Sequence, residues 1–235
     1  MVASSAPYPP RLPPELREVD AGDLTDDIAW EGIAVRGDLT GRVIKGLDFG
    51  PGRLRGLSLV GTHLERARVT NTVVERCDLN AAVLEGVVLS RVVFSDCRMS
   101  GADFSAAQLN DVVFQECRLT DANLRLCQGN RVRFEHCDLA RADLYRAQFL
   151  ATCVFDCNLS SSDLSQASLT GARLHGSTFE GLKGAAALRG TTVSSAQLVP
   201  VALHILSLLE IDVDDEREPT AAGRPAERRG PIVPR

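Results

Sequence analysis

The chain has 235 residues, a formal net charge of −5, seven cysteines and 5% aromatic side chains. So few aromatics argue against an ordinary aromatic-anchored core, and the mild negative charge excludes a basic nucleic-acid binder. No run approaches the roughly 18 apolar residues of a membrane span, and an odd cysteine count argues against a secreted disulfide scaffold.

In chain order, residues 1–22 come first and carry PYPPRLPPE. The start, MVASSAPYPPR, has neither the basic end nor the apolar stretch of a secretory signal. The expectation is a disordered tail on a cytoplasmic protein, because such composition offers little to bury against ordering entropy. Residues 23–37 read as an N-terminal cap, with Ile28, Trp30 and Ile33 over the open end of the repeats.

Residues 38–182 carry a repeat of five. Counting every fifth residue from Leu39 to Phe179 gives 29 positions, of which 28 are apolar, without an insertion or deletion. Neither a helix nor a flat strand has that period. The residue two places earlier is Ala, Cys, Ser, Thr or Val at all 24 positions from Thr62 to Ser177. Residues two apart face the same side of an extended chain, so each unit turns one large and one small group inward. Arg42, Leu47 and Leu57 break the small-residue rule, which predicts an irregular first coil. A second period sets the number of sides. Cys77, Cys97, Cys117, Cys137 and Cys157 recur at a constant spacing of four fives, as do Phe94, Phe114 and Phe134. Four fives make one coil, and about seven coils at ~4.8 Å each make a rod of roughly 35 Å.

Ala102-Asp103-Phe104, Ala122-Asn123-Leu124, Ala142-Asp143-Leu144, Cys137-Asp138-Leu139 and Cys157-Asn158-Leu159 resemble the A(D/N)LXX consensus of the pentapeptide-repeat family. The resemblance implies a mainly β fold, a right-handed quadrilateral β-helix. Within the family the chain is similar to the quinolone-resistance Qnr-type and mycobacterial topoisomerase-protecting proteins. Those are dimeric rods that resemble a B-DNA segment and bind DNA gyrase. The uninterrupted repeat is closer to the mycobacterial form.

Residues 183–213 read as a C-terminal cap with a helix. Ser194 or Ser195 suits an N-cap, and Pro200 predicts a break near Val199. Beyond it only His204, Ser207 and Glu210 are polar up to Ile211. So narrow a polar stripe predicts burial on most sides: one side over the last coil, the other, through Val201, Ile205, Leu206, Leu208 and Leu209, against a second copy. Residues 214–235 read as a second disordered tail.

The repeats hold no catalytic motif, and the expectation is a protein that is not an enzyme and has no cofactor or metal. Six cysteines occupy small inward positions as packing groups, and Cys153 points out. Scattered histidines read as surface residues. Gln108, Gln128 and Gln148 form a ladder whose amides are expected to hydrogen-bond to one another. Gly129 is the one empty large position, with Leu109 and Phe149 expected to fill in. Asp103, Asn123, Asp143 and Asp163 stack on one face, either as turn supports or as a partner-binding face. Asp96, Glu116 and Asp156 form another column, interrupted by His136.

The functional expectation is therefore a protein-interaction module without direct nucleic-acid or membrane contact. The resemblance implies a homodimer that binds a type II topoisomerase as a DNA mimic. Residues 38–183 hold 17 basic and 17 acidic side chains, which departs from an acidic mimic. The alternative is a general scaffold or regulator that binds another cytosolic protein along a flat face.

Overall fold

The computed structural model describes residues 6–208, 210 and 211, apart from the side chains of 204, 207 and 208. The period of five is written into the backbone. φ is positive at every fifth residue from Gly61 to Gly181, each time two places after the large inward residue. This left-handed region costs an L-residue ~1–2 kcal/mol. It recurs because each corner is held from the neighbouring coil: the N–H groups of Ala81, Gly101 and Asp121 donate to Ser100, Thr120 and Ala140 carbonyls at 2.9, 2.9 and 3.0 Å.

The strands are β1 (Arg17–Asp20), β2 (Ala29–Trp30), β3 (Ile33–Arg36), β4 (Val43–Lys45), β5 (Asp48–Phe49), β6 (Gly52–Arg55), β7 (His63–Glu65), β8 (Arg68–Glu75), β9 (Val88–Ser95), β10 (Gln108–Gln115), β11 (Gln128–Glu135), β12 (Gln148–Leu150) and β13 (Cys153–Phe155). Their pairings are all parallel. Val88 of β9 lies between Arg68 of β8 and Gln108 of β10, a register of four fives on either side. The same offset continues as isolated bridges, from Asp103 to Asn123, Asp143 and Asp163. The molecule is a four-sided β-solenoid of about seven regular turns.

The N-terminal end is irregular, as the sequence predicts. β1 pairs Arg17 with Ile33, and β3 pairs Ile33 with Gly52, both steps shorter than a full coil. Leu47 and Leu57 are buried where small residues would otherwise sit. Arg42 avoids the core, and its guanidinium donates to the Ala21 and Leu24 carbonyls at 3.2 and 3.0 Å. Two N-terminal expectations need correction. Residues 6–20 are not a free tail: Tyr8 N–H donates to Asp111 Oδ1 at 3.1 Å, and Arg17–Asp20 add a parallel strand to the solenoid edge. Ile28 is exposed, whereas Leu24 and Ile33 fill the end of the tube.

Inside, large groups stack on their equivalents one coil away. Phe94, Phe114 and Phe134 lie nearly parallel with centroids 5.0 and 4.9 Å apart, and Phe104 and Phe149 meet this column edge-on at 6.2 Å. Such pairs contribute ~0.5–1.5 kcal/mol each beyond area burial. Phe149 also occupies the space beside Gly129, in the way the sequence suggests. The cysteines of the column are buried and form no disulfides, and only Cys153 is partly open. Burial pushes the Cys127 thiol up to about 12. Hydrogen bonding between neighbouring thiols, together with burial, raises Cys77, Cys117 and Cys157 above the ordinary range. Native protein should consume about one equivalent of a thiol reagent, at Cys153, and all seven only after denaturation. Rapid labelling of several native thiols would contradict the inward column.

At the far end Ser194 starts a 3-10 turn (Ser195–Gln197) that leads into α1 (Leu198–Leu208). Gln197, 5% exposed, donates from Nε2 to the Leu174 and Ser177 carbonyls, both at 2.7 Å. It closes carbonyls that the last coil would otherwise leave open. The expected break at Val199 does not occur. Pro200 is the third residue of α1, where an N–H has no intrahelical partner to lose.

Candidate functional site

The outward positions form columns along the rod, and each face is a fixed array of stacked side chains. On the face of Asp103, Asn123, Asp143 and Asp163, every member first serves its own turn. Oδ1 of these four accepts the backbone N–H two residues later, at 2.8, 3.1, 2.9 and 2.8 Å. Those bonds, led by the Ser165 hydroxyl and amide, hold the Asp163 carboxyl below its usual range. The structure also puts cations among them. Arg125 donates to Asp143 Oδ2 at 2.9 Å and its guanidinium lies 4.4 Å from the Tyr145 ring centroid. This face is polar, and of its three carboxylates only Asp143 is ion-paired among the described residues.

The corner of Asp96, Glu116, His136 and Asp156 differs. All four are exposed and at positive φ, and among the described residues none forms an ion pair. The neighbouring corner carries Asn71, Arg91, Asp111 and Arg131, and Arg131 grips Asp111 with two nitrogens. That guanidinium holds the Asp111 carboxyl below the usual carboxylate range. Sequence reading did not single out this corner, because its partner is the N-terminal segment that composition marks as unstructured. Gln108, Gln128 and Gln148 stand in register. The expected amide ladder does not form: no side-chain hydrogen bond joins these three among the described residues, since the backbone already ties the strands.

A concave feature lies toward each end. A cavity of about 620 Å³ lies between Leu12–Leu16 and Arg36, Arg53 and Arg55. A groove of about 620 Å³ separates Gly176–Gly181 from Val199, Pro200 and Leu203 of α1. On α1, Val201 packs on the core while Leu198, Val199, Leu203 and Ile205 are exposed. Leu206 is half-buried. The Leu208 side chain and Leu209, assigned above to a dimer contact, lie outside the described residues, as does 214–235. No group of three or more His, Cys, Asp or Glu that could hold a metal occurs among the described residues. None of the described helices is long and apolar enough to cross a membrane.

Comparison with known proteins agrees with this architecture. A family model described as pentapeptide repeat region matches residues 67–129, and one described as pentapeptide repeats (8 copies) matches 155–183. No curated protein matches the chain. Among solved structures, full-length QnrB1, a plasmid-mediated fluoroquinolone resistance protein, is 18% identical. It covers 80% of this chain and 94% of its own, with a TM-score of 0.45. HetL, a pentapeptide repeat protein involved in heterocyst differentiation regulation from the cyanobacterium Nostoc sp. strain PCC 7120, is 18% identical. It covers 71% and 87%, with a TM-score of 0.30. Rfr23 from the cyanobacterium Cyanothece 51142 is 14% identical over 67% and 91%, with a TM-score of 0.22. With the unbroken period of five and the constant coil register, the two matching models identify residues 67–129 and 155–183 as pentapeptide-repeat regions.

Proposed function

We propose that the protein is a non-enzymatic interaction rod that docks a protein partner along a flat face, in the cytoplasm, as a pair of copies joined through α1. The observation that carries this reading is the Asp103–Asn123–Asp143–Asp163 face: a rigid ladder with acceptors, Arg125 and an aromatic ring fixed at rung spacing. A fixed array of carboxylates, an amide and one arginine suits a protein surface, where complementarity supplies specificity. The paired rod is supported by α1, on which Leu203 and Ile205 are 59% and 46% exposed. A two-fold would set this patch against itself. Light scattering should give twice the chain mass for the native protein and the single mass for Leu203→Glu/Ile205→Glu. A native monomer would rule the pairing out.

A type II topoisomerase is the second, finer reading. The free carboxylates of Asp96, Glu116 and Asp156 favour it, since they stand in one exposed column. Three charges over three coils, roughly 14 Å, make a thin imitation of duplex DNA, which carries one charge per ~1.7 Å. Gyrase supercoiling with and without a fluoroquinolone tests it. The native rod should inhibit supercoiling or lower drug-induced cleavage, and Asp96→Asn/Glu116→Gln/Asp156→Asn should weaken that effect at least ~10-fold, the equivalent of about 1.4 kcal/mol. Asp103→Asn/Asp143→Asn/Asp163→Asn, which keeps the turn acceptors, reports on the flat face separately. If native rod has no effect on gyrase from its own host, the topoisomerase reading is lost while the scaffold reading stands.

A further inference from the structure

The N-terminal segment is docked on the rod in a geometry that sequence composition does not anticipate. From Pro7 to Leu16 the half-buried residues are Pro7, Pro10, Leu12, Pro13 and Leu16, and apart from Leu12 they fall one in three. That period belongs to polyproline II, which has three residues per turn, a rise of ~3.1 Å and no internal hydrogen bonds. One turn of such a chain climbs ~9.3 Å, and two coils of the solenoid climb ~9.6 Å. The two lattices therefore match at one turn per two coils, and the hydrogen bonds follow the match. Tyr8 N–H donates to Asp111 Oδ1 at 3.1 Å, and Arg11 N–H, three residues on, donates to Asn71 Oδ1 at 3.2 Å, two coils away.

Arg91, between the two acceptors, and Arg131, one coil beyond Asp111, steady them. Arg91 Nε donates to Asn71 Oδ1 at 2.7 Å, and Arg131 Nη2 donates to Asp111 Oδ2 at 2.8 Å. The Arg131 guanidinium also lies 5.3 Å from the Tyr8 ring centroid. Asp111 is 6% exposed, whereas Tyr8 is 60% exposed, so the track is built into the rod while the segment lies on its surface. Past Arg11 the segment bridges the cavity over Arg36, Arg53 and Arg55 instead of filling it, and Arg53 Nε there is buried without a hydrogen-bond partner.

We propose that the Asn71–Arg91–Asp111–Arg131 corner is a docking track for extended P-x-x-P segments of a partner protein, and that residues 7–13 are its resident competitor in cis. The chemistry of the partner follows from the register. It presents prolines every third residue to the rod and keeps non-proline N–H groups at the two positions that meet Asp111 and Asn71. An aromatic residue at the first of these stacks near Arg131. Pro7-Tyr8-Pro9-Pro10-Arg11 is one such sequence. A tethered competitor at an effective concentration of ~mM masks the track until it is displaced.

The test uses the full-length chain and a fluorescein-labelled synthetic peptide of residues 6–16, read by fluorescence anisotropy. Pro7→Gly/Pro10→Gly/Pro13→Gly loosens the resident segment without touching the track. It should bind the peptide at least ~10-fold more tightly than the native chain, because the cis occupant no longer competes. Adding Asn71→Ala and Asp111→Ala should cancel that gain. Thermal melts by circular dichroism establish that each protein is folded. Hydrogen exchange on the native chain gives an independent readout: the Tyr8 and Arg11 amides should exchange at least ~10-fold faster than that of Arg98 inside the solenoid, since an exchangeable occupant opens without global unfolding. Equal peptide binding by native and loosened chains, or exchange at Tyr8 as slow as at Arg98, would make the segment a permanent staple and overturn the proposal. Dimerisation in light scattering that depends on residues 7–13 would also overturn it, by assigning the track to a second copy of this chain.

Discussion

Cys117→Arg is expected to unfold the protein or to lower its melting temperature sharply. Cys117 is 2% exposed, and its thiol donates to the Gln115 carbonyl at 3.2 Å. Its equivalents Cys97 and Cys137 sit directly above and below, so the position has no route to solvent. A guanidinium there would be a buried, unpaired charge inside a tube filled with Phe and Leu. Substitutions of this kind cost more than ~4 kcal/mol, against a total stability of ~5–15 kcal/mol. Circular dichroism should show loss of the β signal, or its survival only with a much lowered melting temperature. Cys153→Ser, at an outward position nearer the C-terminal end, should melt within a few degrees of the native chain. A folded Cys117→Arg rod with native melting behaviour would refute the inward assignment.

Restoring the repeat at its single gap should harm the protein. Gly129 stands where a large apolar residue belongs, and Gly129→Leu would return the consensus. A Cβ at Gly129, however, would fall 2.2 Å from Phe149 Cδ1 and 3.0 Å from Val132 Cγ2. The Phe149 ring has taken the vacancy, meeting Phe134 edge-on at 6.2 Å. Overpacking a core costs ~1–3 kcal/mol, and this site lies at the upper end because the clash is with a ring fixed between stacked coils. Phe149→Leu alone should also destabilise, by leaving a void beside a glycine. Together the two substitutions should recover most of the loss, a coupling of ~1–3 kcal/mol in a double-mutant cycle by urea denaturation. Additive losses would mean that Gly129 and Phe149 do not share one volume.

These two positions also mark how far the sequence can be read. The period of five and its fourfold multiple are legible because each inward residue meets its own equivalent, so packing repeats wherever the sequence repeats. The turn role of Asp103, Asn123, Asp143 and Asp163 is legible because a side chain that accepts a nearby N–H is a local event. Long-range partners are not legible. The pairing of Tyr8 with Asp111 spans 103 residues, and a proline-rich composition reports only that the segment cannot form a core of its own. Arg42 looks like an error in the repeat until Ala21 and Leu24 supply carbonyls for it. Pro200 misleads because a helix breaker in mid-sequence is harmless in a first turn. The polar columns are visible as columns, yet which carboxylates stay free depends on where Arg125 and Arg131 reach.

Because every coil repeats the last, nothing inside the solenoid counts how many there are. A unit of four fives could be duplicated or removed with each neighbour finding an equivalent partner, and length would be free to drift. The N-terminal segment changes that. Its anchors at Asn71 and Asp111 are separated by two rungs and by one turn of polyproline, so it gauges one stretch of the rod as a ruler does. Duplicating a coil after Arg131 leaves both anchors in register. Duplicating one between Asn71 and Asp111 puts the second anchor ~4.8 Å out of reach. Length is thus tolerant toward α1 and metered near the N-terminal end, and growth of the rod by whole coils is confined to the coils after Arg131.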